Sequence, residues 1–256
     1  TAHNLTPHEK KPEIYDAVYG AWAATAAGVI HHSVWGEARL RERYDFSDRC
    51  LHRVIPHGHF GAVWAATDPP DRAEAERRLG LAPTDLRIGL VGAPRQEKLV
   101  QEVLDGVAAS RRDDVELVCW SLRGDEVLPD DRRIAIAEPY RNVDAGLYAT
   151  RLAACDVLAL VFDEQGEMLT TGAVGDSLGF GLPTLRSEWG YLVEHLGGAG
   201  IPVGQSAESI AAALDALTDA DLDRARSAAL QRRDELDWSV LAGPTADLFD
   251  EVLLGR

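Results

Sequence analysis

Two basic side chains, Arg95 and Lys98, follow Gly92 in the segment GAPRQEK. A glycine lets the backbone approach a ligand closely, and a helix that opens there offers free N–H groups to an anion. An arginine fork and a lysine point charge, spaced over one turn, suit a diphosphate. The alternative is a solvated loop with two ordinary surface cations. The segment is no dinucleotide fingerprint, because it lacks the GxGxxG spacing.

A second candidate segment is EPYRNV, which includes Tyr140, Arg141, Asn142 and Val143. An aromatic ring beside exposed backbone at the end of a strand could hold a flat base. The alternative is a plain loop in which Asn142 caps the next helix.

A third candidate segment joins an acidic run to a helix start. Asp163, Glu164 and Glu167 could accept hydrogen bonds from sugar hydroxyls. The next polar residues are Thr170, Thr171 and Gly172, which open a glycine-punctuated helix in the stretch MLTTGAVGDSLGFGLPTL. A threonine there could cap the helix, or the helix start could bind an anion. The alternative is a solvated acidic loop.

Histidines are dense near the N-terminus, at His3, His8, His31, His32, His52, His57 and His59. Histidine is a common metal ligand. These residues lack the i, i+4 helical spacing with an acidic partner, and no cysteine joins them, so the pattern predicts no metal site. A serine hydrolase is also not indicated, because no GxSxG elbow is present.

The elements that must position these residues alternate between strands and helices. The strand-like runs are LRIGLVG, VELVCW, RIAIA and DVLALVF, with helical patterns between them. Such repetition predicts a doubly wound parallel sheet, whose ligands bind at the carboxyl ends of the strands. The three candidate segments should therefore line one crevice. TDPPDRAEAERRLG reads as a linker leading into a helix that ends at Gly80, and Pro244 is expected to bend or break the last helix.

Composition narrows the class of protein. The 256 residues are 46% hydrophobic and 27% charged, as in globular proteins, and the net charge of −16 argues against nucleic-acid binding. Cys50, Cys119 and Cys155 show no CxxC spacing, which favours buried thiols in a reducing, cytoplasmic setting. No apolar run approaches the roughly 20 residues of a membrane span. The chain opens without methionine, at what reads as the end of a strand, so we expect an N-terminal part of a larger protein to precede it.

Several segments together resemble glycosyltransferase family 4. They are TAHNLTPHE, VIPHG, GLVGAPRQEK, TTGAVGDSLGFGLPTL followed by Glu194, and DWSVLAGPTADLFDEVL. The resemblance implies a GT-B fold of two facing Rossmann-like lobes. It divides the chain into the remainder of an acceptor-side lobe (1–66), a nucleotide-sugar-binding lobe (67–236) and a C-terminal helix that packs back on the first lobe (237–256).

The same resemblance assigns residues. Arg95 and Lys98 match the basic pair that contacts the donor diphosphate. Thr171 and Gly172 match the turn near the phosphate and sugar, and His3 matches a histidine that reaches the transferred sugar. Residues 140–143 match the base-binding segment. In the Glu-x7-Glu pattern, Asp176 takes the ribose-binding position, and Met168 stands where the first glutamate is expected, one residue after Glu167.

The implied function is retaining transfer of a hexose from a nucleoside diphosphate sugar to an acceptor hydroxyl, in polysaccharide or glycoconjugate synthesis, with neither cofactor nor metal. Two alternatives stay open: a non-catalytic nucleotide-sugar-binding or partner subunit, and a nucleotide-sugar epimerase on the same fold. The acceptor (a saccharide, a lipid-linked or a small molecule), peripheral membrane association and the oligomeric state are left open.

Overall fold

Helices and strands alternate along most of the chain in the computed structural model, which describes residues 1–5, 12–163 and 169–255. The helices are α1 (Pro12–Thr25), α2 (Val34–Arg43), α3 (Gly61–Ala65), α4 (Arg72–Leu79), α5 (Val100–Ala109), α6 (Ala145–Ala153), α7 (Ala173–Gly179), α8 (Gly190–Leu196), α9 (Ala207–Ala216), α10 (Asp219–Glu235) and α11 (Trp238–Leu254). The strands are β1 (Gly28–His31), β2 (Leu51–Val54), β3 (Leu86–Leu90), β4 (Val115–Leu122), β5 (Ile134–Pro139), β6 (Val157–Leu160), β7 (Thr184–Arg186) and β8 (Gly200–Pro202).

Six strands form one sheet in the order β5-β4-β3-β6-β7-β8, and every pair in it is parallel. The chain builds outward from β3 to β5, then returns to lay β6 on the other side of β3 and builds outward to β8. The direction of winding therefore reverses between β3 and β6, which makes this the topological switch point of the sheet. The predicted doubly wound parallel sheet is confirmed.

The core follows from strands that are buried on both faces. All five residues of β3 are buried. Leu86, Ile88 and Leu90 pack in the same apolar cluster as residues of α5 and α9. On the other face a side chain at Gly89 would meet Cys155 Sγ at 2.5 Å, so the close approach of the next layer requires a glycine.

A second, two-stranded parallel sheet pairs β1 with β2. Helix α2 begins beside it, where Ser33 Oγ accepts from Gly36 N at 2.9 Å. The Glu194 carboxylate of α8 accepts from Val34 N and Trp35 N, both at 2.7 Å, and so satisfies two free donors of the same helix end. Helix α11 packs against β1 and β2.

Four details differ from the sequence-based expectations. Helix α11 continues through Pro244 without a break. Helix α7 has Gly172 as its N-cap residue and no side-chain cap, so neither threonine before it caps it. Asp144, not Asn142, caps α6, because its side chain accepts from Leu147 N. Helix α10 is not anticipated from the sequence pattern.

Other expectations hold. Helix α4 ends at Gly80 in the left-handed conformation, with φ of +69°. The three cysteines are free thiols; Cys119 and Cys155 are buried and Cys50 is half-buried. Within the described ranges, no helix has the length and apolar character needed to cross a bilayer.

Candidate functional site

The turn after β3 and the end of β6 are joined at the switch point. Leu99 N donates to Val161 O at 3.0 Å, and Asp163 N donates to Glu97 O at 2.7 Å. Gly92 opens the turn with φ of +84°, a conformation that L side chains rarely adopt. These backbone hydrogen bonds place residues 92–98 directly beside the residues that follow β6, at the edge where doubly wound sheets bind ligands.

Lys98 is buried rather than exposed on the surface of the crevice. Its side chain is 3% exposed, and Nζ donates to Val91 O at 2.5 Å and to Ser121 Oγ at 2.8 Å. Burial lowers the pKa of Lys98 to about 8. The ammonium thus lies under the β3 turn and bonds the Val91 carbonyl, while the Ser121 hydroxyl donates to Gly92 O at 2.6 Å. Its role in contacting a diphosphate stays a prediction.

Arg95 precedes Lys98 in the same turn and is half-buried. It forms no ion pair with any described residue, so its charge is not neutralised by a carboxylate in that part of the chain. Both cations lie in the turn ahead of α5, which begins only at Val100. Arg95 thus differs from Lys98 in being half-buried rather than buried, and its contact with a diphosphate also stays a prediction.

Asp176 also lies inside the protein. The residue is 7% exposed, and Oδ2 accepts from the Tyr148 hydroxyl at 2.8 Å. Burial raises the pKa of Asp176 to about 7, with the nearby Lys98 charge acting in the opposite direction. A hydrogen bond to ribose would have to use an oxygen of a carboxyl group that Tyr148 already engages, so the ribose contact stays a prediction.

A small cavity of about 70 Å³ lies beside the β3 turn. It brings Gly92 together with Tyr140, Arg141, Asn142 and Val143, the segment expected to meet a base. Its remaining lining residues are Val91, Trp120, Tyr148 and Arg151. The Arg151 guanidinium lies 5.0 Å from the centre of the Trp120 ring, and the Tyr140 hydroxyl donates to Asn142 Oδ1 at 2.7 Å. Aromatic and cationic groups thus meet at the carboxyl ends of β3, β4 and β5.

The N-terminal segment reaches the same edge. His3 is exposed, and its carbonyl accepts from Leu169 N at 3.1 Å, which ties it to the segment before α7. The His3 ring lies 4.9 Å from His32 and 6.3 Å from His57, measured between ring centres. In that segment Thr170 is buried, Thr171 is half-buried and Gly172 is exposed. Glu164, Glu167 and Met168 lie outside the described residues.

Three residues of the site were not found from the sequence. Ser121, Tyr148 and Arg151 contact the residues that were predicted, through the hydrogen bonds and the cavity described above. Ser121 could have been found, since it directly follows the VELVCW strand at the predicted ligand edge. Tyr148 and Arg151 carry no such signal, because they read as ordinary members of an amphipathic helix.

Comparison with solved structures shows a shared fold. Sucrose-phosphate synthase from Thermosynechococcus elongatus superposes with a TM-score of 0.68 at 20% identity, over 98% of this chain and 64% of that one. HepE from Anabaena in complex with UDP superposes with a TM-score of 0.72 at 16% identity, over 97% of this chain and 71% of that one. A trehalose-phosphate synthase from Burkholderia vietnamiensis superposes with a TM-score of 0.67 at 14% identity, over 98% of this chain and 66% of that one.

These neighbours are GT-B glycosyltransferases, so the expected GT-B type fold is confirmed. The chain spans about two thirds of their length, 64% in the case of the sucrose-phosphate synthase. No protein-family model and no curated protein sequence matches the chain.

Proposed function

We propose that the chain binds a nucleoside diphosphate sugar at the β3–β6 switch point and transfers its hexose to an acceptor hydroxyl with retention. The observation that carries this proposal is the convergence of the Gly92 turn, the small cavity lined by residues 140–143 and the segment 169–172 at one edge of a GT-B type sheet. The complex of the Anabaena protein HepE with UDP supports the choice of a nucleotide as ligand.

Each part of the crevice has a task in this proposal. The base lies against residues 140–143, and the diphosphate lies over the Gly92 turn, where the backbone can approach it. Arg95 neutralises the charge that grows on the leaving diphosphate; such placed charges supply a large share of catalysis. Thr171 and Gly172 form the wall near the sugar, and His3 contacts the transferred hexose. For retention, the leaving phosphate takes the acceptor proton on the same face, as the family resemblance implies.

A donor-binding protein without transfer is a second candidate, and one observation favours it. Lys98 and Asp176 both lie in the interior and both have internal hydrogen-bond partners. If neither can reach the donor, Arg95 is the principal charge on the diphosphate, and the leaving group is poorly stabilised. We also propose that the chain divides between residues 66 and 67, with the C-terminal helix as a third unit. We propose a cytoplasmic location as well.

Turnover separates these functions. The protein is incubated with UDP-glucose and with GDP-mannose, with and without a mixture of saccharide acceptors, and the reaction is followed by ¹H and ³¹P NMR. The proposal expects release of UDP or GDP together with a product whose anomeric configuration matches that of the donor. Binding without nucleotide release would favour the non-catalytic protein. An altered nucleotide sugar in the absence of acceptor would identify an epimerase, and a product of inverted configuration would contradict retention.

A further inference from the structure

Three side chains of the N-terminal sheet converge away from the crevice. His31 ends β1, His52 lies in β2, and Glu37 lies in the first turn of α2. Their potential ligand atoms all lie within 4.8 Å of one another. In the strand register His31 pairs with Val54, so His52 is two residues away on the neighbouring strand and shares its face.

We propose that His31, His52 and Glu37 form a zinc-binding site that links β1, β2 and α2. Two imidazoles and one carboxylate, with a fourth position left for water, are a donor set that Zn²⁺ takes in proteins. The ligands come from three separate elements, which explains why a search for helical i, i+4 spacing does not find them.

The geometry of the two imidazoles supports a shared cation. His31 Nε2 and His52 Nδ1 lie 2.8 Å apart, and the rings are within 15° of one plane with centres 5.1 Å apart. The two nitrogens therefore face each other in line and share a single proton. Two nitrogens on one tetrahedral zinc, each at about 2.0–2.1 Å, lie about 3.3 Å apart. Zinc would replace the shared proton after a shift of about 0.5 Å and a tilt of the rings.

The burial of the ligands fits a site with one open side. His31 is 1% exposed. His52 and Glu37 are half-buried. His52 lines an open cavity of about 330 Å³ together with Asp45, Asp48 and Arg41, so this ligand can be reached from outside.

Arg41 is the group that competes with zinc. Its Nη1 donates to Glu37 Oε1 at 2.9 Å, and its side chain is 56% exposed. Zinc binding would require Glu37 to release this surface partner, an exchange that costs little because exposed ion pairs are weak. Removing the Arg41 charge should therefore tighten zinc binding.

The site is separate from the proposed donor crevice. His32, the next residue after His31, contacts His3 and His57 with its ring. The His31 ring instead pairs with His52, through the 2.8 Å contact between Nε2 and Nδ1. Zinc is therefore expected to stabilise the N-terminal sheet, and the proposal does not depend on glycosyl transfer.

Zinc titration of the EDTA-treated protein tests this proposal. We expect one equivalent to bind with a Kd of about 10 μM or tighter, and a Tm increase of about 5–10 °C at 100 times the Kd. His52→Asn and Glu37→Gln should each weaken binding about tenfold or more. Glu42→Gln, which removes an exposed carboxylate from the same helix, should leave the Kd unchanged, and Arg41→Gln should lower it.

Two further measurements keep the test decisive. Circular dichroism of zinc-free His52→Asn checks that the variant folds, and Glu37→Gln serves as the surface substitution if it does not. With Co²⁺ in place of zinc, strong visible absorption reports a four-coordinate site. Binding that is absent at 1 mM zinc would overturn the proposal, as would equal affinity in the wild type, His52→Asn and Glu37→Gln.

Discussion

Replacing Asp176 with asparagine should make the protein more stable at neutral pH and leave it nearly unchanged at pH 4. Asp176 lies inside the protein, and burial raises its pKa from 3.8 to about 7. In the unfolded chain the carboxyl group ionises near pH 4, whereas in the folded protein it keeps its proton until about pH 7. The folded state thus binds the extra proton between these values, and the contribution to stability falls as the pH rises through that window.

The size of the effect follows from the shift. Each pKa unit corresponds to about 1.4 kcal/mol, so a shift of roughly three units gives about 4 kcal/mol between pH 4 and pH 8. Asparagine is neutral at every pH and keeps an oxygen that can accept from the Tyr148 hydroxyl. The free energy of unfolding of Asp176→Asn should therefore exceed that of the wild type by up to about 4 kcal/mol at pH 8.

Urea unfolding at pH 4, 5, 6, 7 and 8 measures this difference. Burial lowers the pKa of His31 and of His32 to about 4 and that of His195 to about 3. Each of these groups makes the stability rise with pH between its lowered pKa and about 6.5. Because both proteins contain them, they cancel in the difference. Asp223→Asn, an exposed substitution on α10, is the matched surface control. If the difference between Asp176→Asn and the wild type does not change with pH, the Asp176 carboxyl group does not hold a proton in the folded protein near neutral pH.

Two other predictions concern the packing around the sheet. Arg87 is fully buried and pairs with Glu76 at 2.5 Å, so Arg87→Met should lower the free energy of unfolding by about 3–5 kcal/mol; an unchanged urea midpoint would contradict a buried ion pair. A side chain at Gly179 would meet Gly61 N at 2.8 Å, so Gly179→Ala should lower the free energy of unfolding by about 1–3 kcal/mol. A side chain at Gly243 in α11 would meet nothing within 4 Å, so Gly243→Ala should raise it by about 0.5–1 kcal/mol. Thermal unfolding of both variants checks that the two Tm shifts differ in sign.

The sheet could be predicted because its strands are apolar on both faces. Runs such as LRIGLVG and DVLALVF leave no polar side to face water, and the helices between them have regular apolar spacing. Helix α10 could not be predicted from apolar spacing, because Leu222, Ala225 and Ala229 form only a narrow apolar stripe in a mostly charged segment. A local signal existed, since Thr218 and Asp221 form a capping box at its start.

The candidate site could be predicted only in part. The edge of the sheet and the segments that meet there follow from the order of strands, which is why Gly92 and residues 140–143 line one cavity. Whether a charged side chain points outward does not follow from its type. Lys98 turns inward because Ser121 and the Val91 carbonyl supply partners from other parts of the chain. Contacts over such distances leave no mark in the local sequence.

Calorimetric titration with UDP and GDP sugars, comparing the wild type, Arg95→Ala and Arg132→Ala, shows whether a nucleoside diphosphate sugar binds at the β3 turn. Arg132 is exposed and lies just before the amino end of β5, at the edge of the sheet opposite the crevice. We expect one of the donors to bind the wild type. Arg95→Ala should weaken this binding by about tenfold or more through loss of a charge-assisted hydrogen bond, and Arg132→Ala should not. Equal affinity in all three proteins would contradict a diphosphate site at the β3 turn.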